Sequence, residues 1–235
     1  NKGKKSLRDF KLSFMLKRFL QGQLWNLTPG TRDSEILYII GMHEYAQQTN
    51  DHSLLKQYQT NLRKALDYIE TQLMRDGLVI GCDWRDTMEQ ELGDKPLLTN
   101  NCLMVQAYRL MGETEKAETL RARINEQFWV NGSYIDYPRN NRFDPLGGAF
   151  AILYDVAPPG RHSSLVASFR SVDSAHGVTI KCRHNPFSPE EREVIERTDG
   201  VVVWPFIVGF SILALSKINA GLLAEAQFQK LVNLL

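Results

Sequence analysis

"AYRLMGETEKAE", residues 107–118, reads as the end of one helix, a turn on Gly112 and the start of a second helix. The same layout returns in "ALSKINAGLLAE", residues 214–225: an apolar helix end, a small-residue turn, then Ala-Glu at the same offset. "EYAQQTNDHSLLKQ", residues 44–57, is a looser third copy. Each unit is an αα-hairpin. The copies are unevenly spaced, whereas a tetratricopeptide solenoid needs a fixed period of about 34 residues. Hairpins joined by long loops rich in acids and aromatics predict an all-α fold of the α/α-toroid type, with short β pieces in its loops. In such an array the loops at one end of the helices build a site.

Helical periodicity extends outward from these units. Leu7, Phe10, Leu12, Met15, Leu16, Phe19 and Leu20 form one apolar stripe. After "NLTPGTRDS" a helix is expected to start at Asp33 or Ser34, either of which can cap it. Further helices are expected over 54–74, 97–111, 113–128, 146–156, 162–170 and the C-terminal stretch. Extended pieces are expected at 77–81, 133–137 and 176–183. In "VVVWPFIVGFSILALSKI" the β-branched start reads as strand, and Pro205 marks a helix start.

The totals exclude several classes. A formal net charge of +1, from 28 basic and 27 acidic residues, leaves no electrostatic footprint for nucleic acid or an anionic membrane. No apolar run approaches the roughly 18 residues that a membrane span needs. The basic start "NKGKK" runs into charged amphipathic sequence and does not read as a signal peptide. Cys82, Cys102 and Cys182 are odd in number and far apart, so reduced thiols in a cytoplasmic protein are expected. No cofactor motif is present, and the histidines lack metal-ligand spacing.

Three loops concentrate Trp, Asp, Arg and Gly. In "PGTRDSE", Asp33 either caps a helix or, with Arg32, points into a pocket and binds hydroxyls. In "GCDWRDTMEQELGDKP", residues 81–96, Asp83 and Asp86 flank Trp84 and Arg85. Ca²⁺ takes about six or more oxygens and usually more closely spaced acids, so no metal is expected there. The alternatives are a solvated acidic loop or a carboxylic acid beside a Trp face, where apolar surroundings suit a general acid. In "EEREVIERTDGVVVWPF" most acids must be at the surface, because burying five carboxylates is prohibitive. Glu196 and Asp199, nearest Trp204, are the candidates for a base.

Five pieces taken in order resemble the (α/α)6 glycoside hydrolases, especially the amylo-α-1,6-glucosidase (glycogen-debranching) type and its glucosidase and invertase-like relatives. They are "TRDSEILYIIGMHEYAQQTND", "DWRDTMEQELGDKPLLTNNCLMVQAYRLMG", "FWVNGSYIDY", "FDPLGGAFAILYDVA" and "DGVVVWPFIVGFSILAL". The resemblance covers most of residues 31–218. It implies an inverting glycosidase acting on an α-glucoside or related oligosaccharide. Alignment on Trp-x-Asp makes Asp86 the general acid, and the Gly-x-Asp form of other relatives makes it Asp83. Trp84 and Trp204 would stack on sugar, and Arg32, Asp33 and Arg85 would bind hydroxyls. Where the resemblance expects His, Asn or Gln, and Gly, the chain has Thr198-Asp199-Gly200, so the base stays open between Glu196 and Asp199. The alternative is a non-catalytic helical carbohydrate- or protein-binding scaffold descended from such an enzyme. A full toroid of twelve helices needs on the order of 350 residues. Residues 1–235 are therefore read as one compact or N-terminally incomplete domain of catalytic type.

Overall fold

The computed structural model describes residues 32–83, 85, 92–181, 193, 197, 198 and 200–233. The apolar stripe expected over 7–20 lies outside the described residues, as do Trp84, Asp86, Cys182, Glu196 and Asp199. The fold is mostly helical. Helices α1 (Ser34–Thr49), α2 (Ser53–Gln57) and α3 (Gln59–Tyr68) come first. A π-turn over Ile69–Leu73 leads into the hairpin β1 (Met74–Arg75) and β2 (Leu78–Val79). Then come α4 (Leu98–Leu110), α5 (Thr114–Gln127), the hairpin β3 (Trp129–Val130) and β4 (Ser133–Tyr134), α6 (Pro145–Leu153) and α7 (His162–Ser171). A three-stranded antiparallel sheet, β5 (Asp173–Ser174), β6 (Gly177–Lys181) and β7 (Val201–Val203), precedes α8 (Pro205–Lys217) and α9 (Gly221–Val232).

The helices form two layers. In the inner layer α1 packs on α4, α4 on α6 and α6 on α8. Behind them, α3 backs α1, α5 backs α4, α7 backs α6 and α9 backs α8. Burial explains the assignment. Leu98–Val105 of α4 and Pro145–Ile152 of α6 are buried without interruption. Helix α6 is apolar on all sides there and belongs inside, and α4 joins it because its buried Thr99, Asn100 and Asn101 find hydrogen-bond partners. Helix α5 buries only Ala117, Leu120 and Ile124, a stripe at i, i+3 and i+7. Leu120 and Ile124 each contribute about 1.5–3 kcal/mol by leaving water.

The hairpin turns repeat at atomic detail. Glu113 N–H donates to the Tyr108 carbonyl at 2.8 Å, and Ala220 N–H to Leu215 at 2.9 Å. These are the same bond in the two sequence copies, with Gly112 (φ 79°) and Asn219 (φ 60°) in the left-handed region. A further copy ends α6, where Val156 N–H donates to Ala151 at 2.9 Å around Asp155 (φ 52°). That turn stops α6 at Leu153, short of the expected 156. Asn50 (φ 54°) ends α1 in the same left-handed conformation. The helix expected over 54–74 is broken at Tyr58 and unwinds into the π-turn.

Gly147 and Gly148 lie within α6 and let it approach its neighbours. A Cβ on Gly147 would stand 2.6 Å from Leu98 Cδ2 of α4, and one on Gly148 would stand 2.6 Å from Phe143. Among the described residues no helix is long and apolar enough to cross a membrane.

Candidate active site

The loops ahead of the inner helices are tied together. Arg32 N–H, just before α1, donates to the Cys82 carbonyl at 2.8 Å. From α4, Asn100 Nδ2 donates to the Gly81 and Cys82 carbonyls at 3.0 and 3.2 Å. Asn101 Nδ2 donates to the Val79 and Leu97 carbonyls, and its Oδ1 accepts from Val79 N–H at 2.9 Å. The two adjacent asparagines are fully buried and hold the chain entering residues 81–96 against the start of α4. A small apolar cluster of Cys82, Leu92 and Leu97, with Tyr137 packed against it, lies beside this segment.

Arg85 is the centre of the arrangement. It is only 3% exposed. Its Nε donates to both oxygens of Asp83 at 3.0 and 2.9 Å, and Nη2 adds a third bond to Asp83 Oδ2. Nη1 and Nη2 fork onto the two oxygens of Asp144 at 2.9 and 3.0 Å. Thr99 Oγ1 donates to Asp83 Oδ2 at 2.6 Å. Asp144 also caps α6, accepting from Leu146 N–H at 3.3 Å, with Pro145 at the first helical position. Burial pulls the Arg85 guanidinium down, but Asp144 and Asp83 more than offset this and hold it well above its ordinary value. It is a fixed cation. Burial, and then Asp144, push the Cys102 thiol well up, so Cys102 is inert packing.

Beside this knot opens a cleft of about 1050 Å³. Its wall includes Arg85, Asp144, Asp136, Arg142 and Lys181, with Ile135, Phe143 and Ile180 as apolar surface. Val201 of β7 also lines it. Arg85 is next to Asp86 in the chain, and Val201 is two residues after Asp199. The described flanks of the two acid-bearing loops therefore share one cleft.

The remaining expected residues are placed as follows. Asp33 is 1% exposed, and its side chain makes no capping bond to α1, which removes the helix-cap reading. Arg32 is half-buried beside Cys82. Trp204 directly precedes α8 and packs edge-to-face with Phe206, ring centroids 5.3 Å apart. Asp83 and Arg85 are joined to each other. Asp136, Asp144 and Thr99 are site residues that sequence reasoning missed. Asp-Pro ahead of an apolar run does signal a capped helix start at Asp144, but nothing local reports its pairing with Arg85. Among the described residues no group of three or more His, Cys, Asp or Glu gathers as a metal site.

No family model matches the chain, and no curated protein matches it. Solved structures do. The fold is shared with rhamnosidases. A rhamnosidase from Klebsiella oxytoca with rhamnose bound superposes with a TM-score of 0.58 at 11% identity, over 83% of this chain and 36% of that one. A GH78 family rhamnosidase of Bacillus sp. GL1 gives a TM-score of 0.57 at 18% identity, over 83% of this chain and 20% of that one. The chain thus spans about a third and a fifth of those two proteins. At these identities the likeness concerns the fold alone, and it agrees with the mostly helical architecture expected from the hairpins.

Proposed function

We propose that this chain is the helical catalytic region of an inverting glycoside hydrolase acting on an α-glucoside or related oligosaccharide, of the amylo-α-1,6-glucosidase type. The observation that carries the reading is the shared cleft: Arg85 and Val201, flanking the two acid-bearing loops, line one cavity in a fold of glycosidase type. Asp86 is the general acid. It follows Arg85 directly, whereas the Asp83 oxygens are committed to Arg85 and Thr99. A carboxylate so committed is in no position to hand a proton to a leaving oxygen. The base is Glu196 or Asp199, activating water on the opposite ring face. Inversion calls for the two carboxyls to stand roughly 6.5–9.5 Å apart. Trp84 and Trp204 offer stacking faces for a sugar.

The test is a hydrolysis screen on α-1,4 and α-1,6 glucosides, sucrose-type substrates and α-L-rhamnosides, with the released anomer followed by NMR. Turnover with inverted configuration, lost in Asp86→Asn, is the expected result. Retained configuration, or full turnover in Asp86→Asn, sinks the assignment. Binding of these sugars without any turnover would replace the enzyme with a carbohydrate-binding scaffold.

A further inference from the structure

We propose that Asn140 and Arg142 form a subsite for a sugar carboxylate, so that the oligosaccharide taken by the cleft is an acidic one carrying a uronate. This rests on the reading of the cleft as a sugar site given above. The loop "YPRNNRF", residues 137–143, holds two arginines and no acid. Its backbone is closely tied. Asn140 N–H donates to the Tyr137 carbonyl at 3.0 Å, closing a turn with Pro138 second and Arg139 third. Arg139 has φ 74°, the left-handed value that a type II turn needs at its third position and that glycine or asparagine usually supplies. Arg142 N–H donates to Asn140 Oδ1 at 3.0 Å, the Arg142 carbonyl accepts from Asp136 N–H at 3.2 Å, and Phe143 bridges Ile135. An arginine held at a costly φ in so constrained a loop points to a segment shaped for more than chain reversal.

Those bonds leave donors at the cleft wall. Asn140 and Arg142 both line it. Because Asn140 Oδ1 is taken by Arg142 N–H, the amide offers only its Nδ2 hydrogens. The Arg142 side chain is exposed, and no acid among the described residues pairs with it. Asp136 and Asp144 are carboxylates of the same wall; Asp144 is held by the Arg85 fork, and neither pairs with Arg142. Lys181 of β6 adds a further cation to that wall. A guanidinium is always charged, and its planar fork matches a carboxylate with two parallel hydrogen bonds. Sugar hydroxyls both donate and accept, so a neutral sugar makes no special use of neighbouring groups that only donate. The two oxygens of a uronate only accept, and Arg142 with Asn140 Nδ2 is their complement.

The test titrates the full chain calorimetrically with methyl α-D-glucoside, with methyl α-D-glucuronide, in which the primary alcohol is a carboxylate, and with the glucoside sulfated at that alcohol. Each titration is repeated with Arg142→Gln and with Asn140→Asp, which keeps the acceptor for Arg142 N–H but puts an anionic oxygen where the donor amide stood. The glucuronide should bind the unmodified chain about 10–100-fold more tightly than the glucoside, the scale of one or two charged hydrogen bonds. That preference should shrink as salt rises, because Arg142 is exposed. Both variants should remove the preference and leave the affinity for the glucoside unchanged. Equal affinity for glucuronide and glucoside in the unmodified chain overturns the inference, as does a preference that survives both variants. So does an equal loss on both glycosides, which is what a purely structural loop residue would give. Tight binding of the sulfate ester with none of the glucuronide overturns the carboxylate assignment. If no glycoside binds the unmodified chain, this inference and the sugar-site reading fall together; if the glucuronide binds selectively and no glycoside is turned over, the subsite stands and the hydrolase reading alone falls.

Discussion

The Arg85 guanidinium forks onto the Asp144 carboxylate at 2.9 and 3.0 Å across 59 residues of sequence, and both side chains are nearly inaccessible. With Asp83 on its other edge, this cation binds the loop before α4 to the first turn of α6. Taking one partner from a buried pair leaves an uncompensated charge, which costs about 3–5 kcal/mol. Arg85→Ala should lose that much in urea unfolding, because Asp83 and Asp144 are then buried without their cation. The triple variant Arg85→Met, Asp83→Asn, Asp144→Asn should recover most of the loss. A single variant no less stable than the triple would show that the knot is not held by charge.

The two glycines of α6 and Gly41 of α1 give opposite expectations from one substitution. A Cβ at Gly147 meets Leu98 Cδ2 at 2.6 Å and Asp144 Oδ2 at 2.9 Å. Gly147→Ala should therefore cost about 1–3 kcal/mol by overpacking, and should disturb the Asp144 carboxylate as well. At Gly41, in mid-helix, nothing lies within 4 Å of the added atom. Gly41→Ala should stabilise by about 0.5–1 kcal/mol, through helix propensity alone. Melting curves of the two variants, shifting in opposite directions, are the check.

Much of the helix array was legible because its signals are local. The helical periodicity of the described stretches, the stop at Gly112, the small-residue turn in residues 214–225 and Pro205 at a helix start each act within a turn or two of chain. The break at Tyr58 was not legible, since tyrosine is no helix breaker and the π-turn after it carries no composition signal. Helix α6 also ended early, because Asp155 took the left-handed role that glycine or asparagine usually fills. The site was legible only in part. Arg85 offered hydrogen-bond donors beside acids, which locally suits a sugar site, but its actual partner Asp144 sits in another hairpin. Asp136 looked like one more residue of an extended piece. Only the closing of the 137–143 loop against α4 turns it into cleft wall.

Asp173 gives a pH-dependent prediction. Lys230 Nζ lies 2.7 and 2.6 Å from its oxygens, and Gln227 Nε2 donates at 2.7 Å, tying α9 to β5. Burial pushes the Asp173 carboxyl up, but the Lys230 and Gln227 hydrogen bonds outweigh it, leaving the group below its ordinary value. A depressed carboxyl stabilises the fold above its unfolded value, near pH 3.9. That contribution disappears as pH falls through the lower folded value. The pair is partly open to solvent, so its worth is about 1 kcal/mol or less. Unfolding free energies of the unmodified chain and Asp173→Asn should differ at pH 6 and converge toward pH 2. A gap that widens on acidification would contradict the sign.

Asp83 and Asp86, three residues apart, should separate by what their loss affects. Asp83 is part of the Arg85 knot, so Asp83→Asn should cost stability, up to the roughly 3–5 kcal/mol of a broken buried pair. Any fall in kcat should then follow the loss of folded protein or the displacement of Arg85. Asp86, as proton donor, should behave otherwise. Asp86→Asn should lower kcat by about 10²–10⁴-fold, the usual share of a general acid, and leave the melting temperature close to that of the unmodified chain. The two effects also divide by substrate. A leaving group of low pKa, such as a nitrophenolate, needs little protonation, so Asp86→Asn should retain much of its rate on an aryl glycoside. Asp83→Asn should lose rate on both substrates alike. Measured together, kcat on the two substrate types and the melting temperature decide the assignment. If Asp83→Asn keeps full stability and loses rate only where the leaving group needs a proton, the acid is Asp83, and the role given to its bonds with Arg85 is wrong.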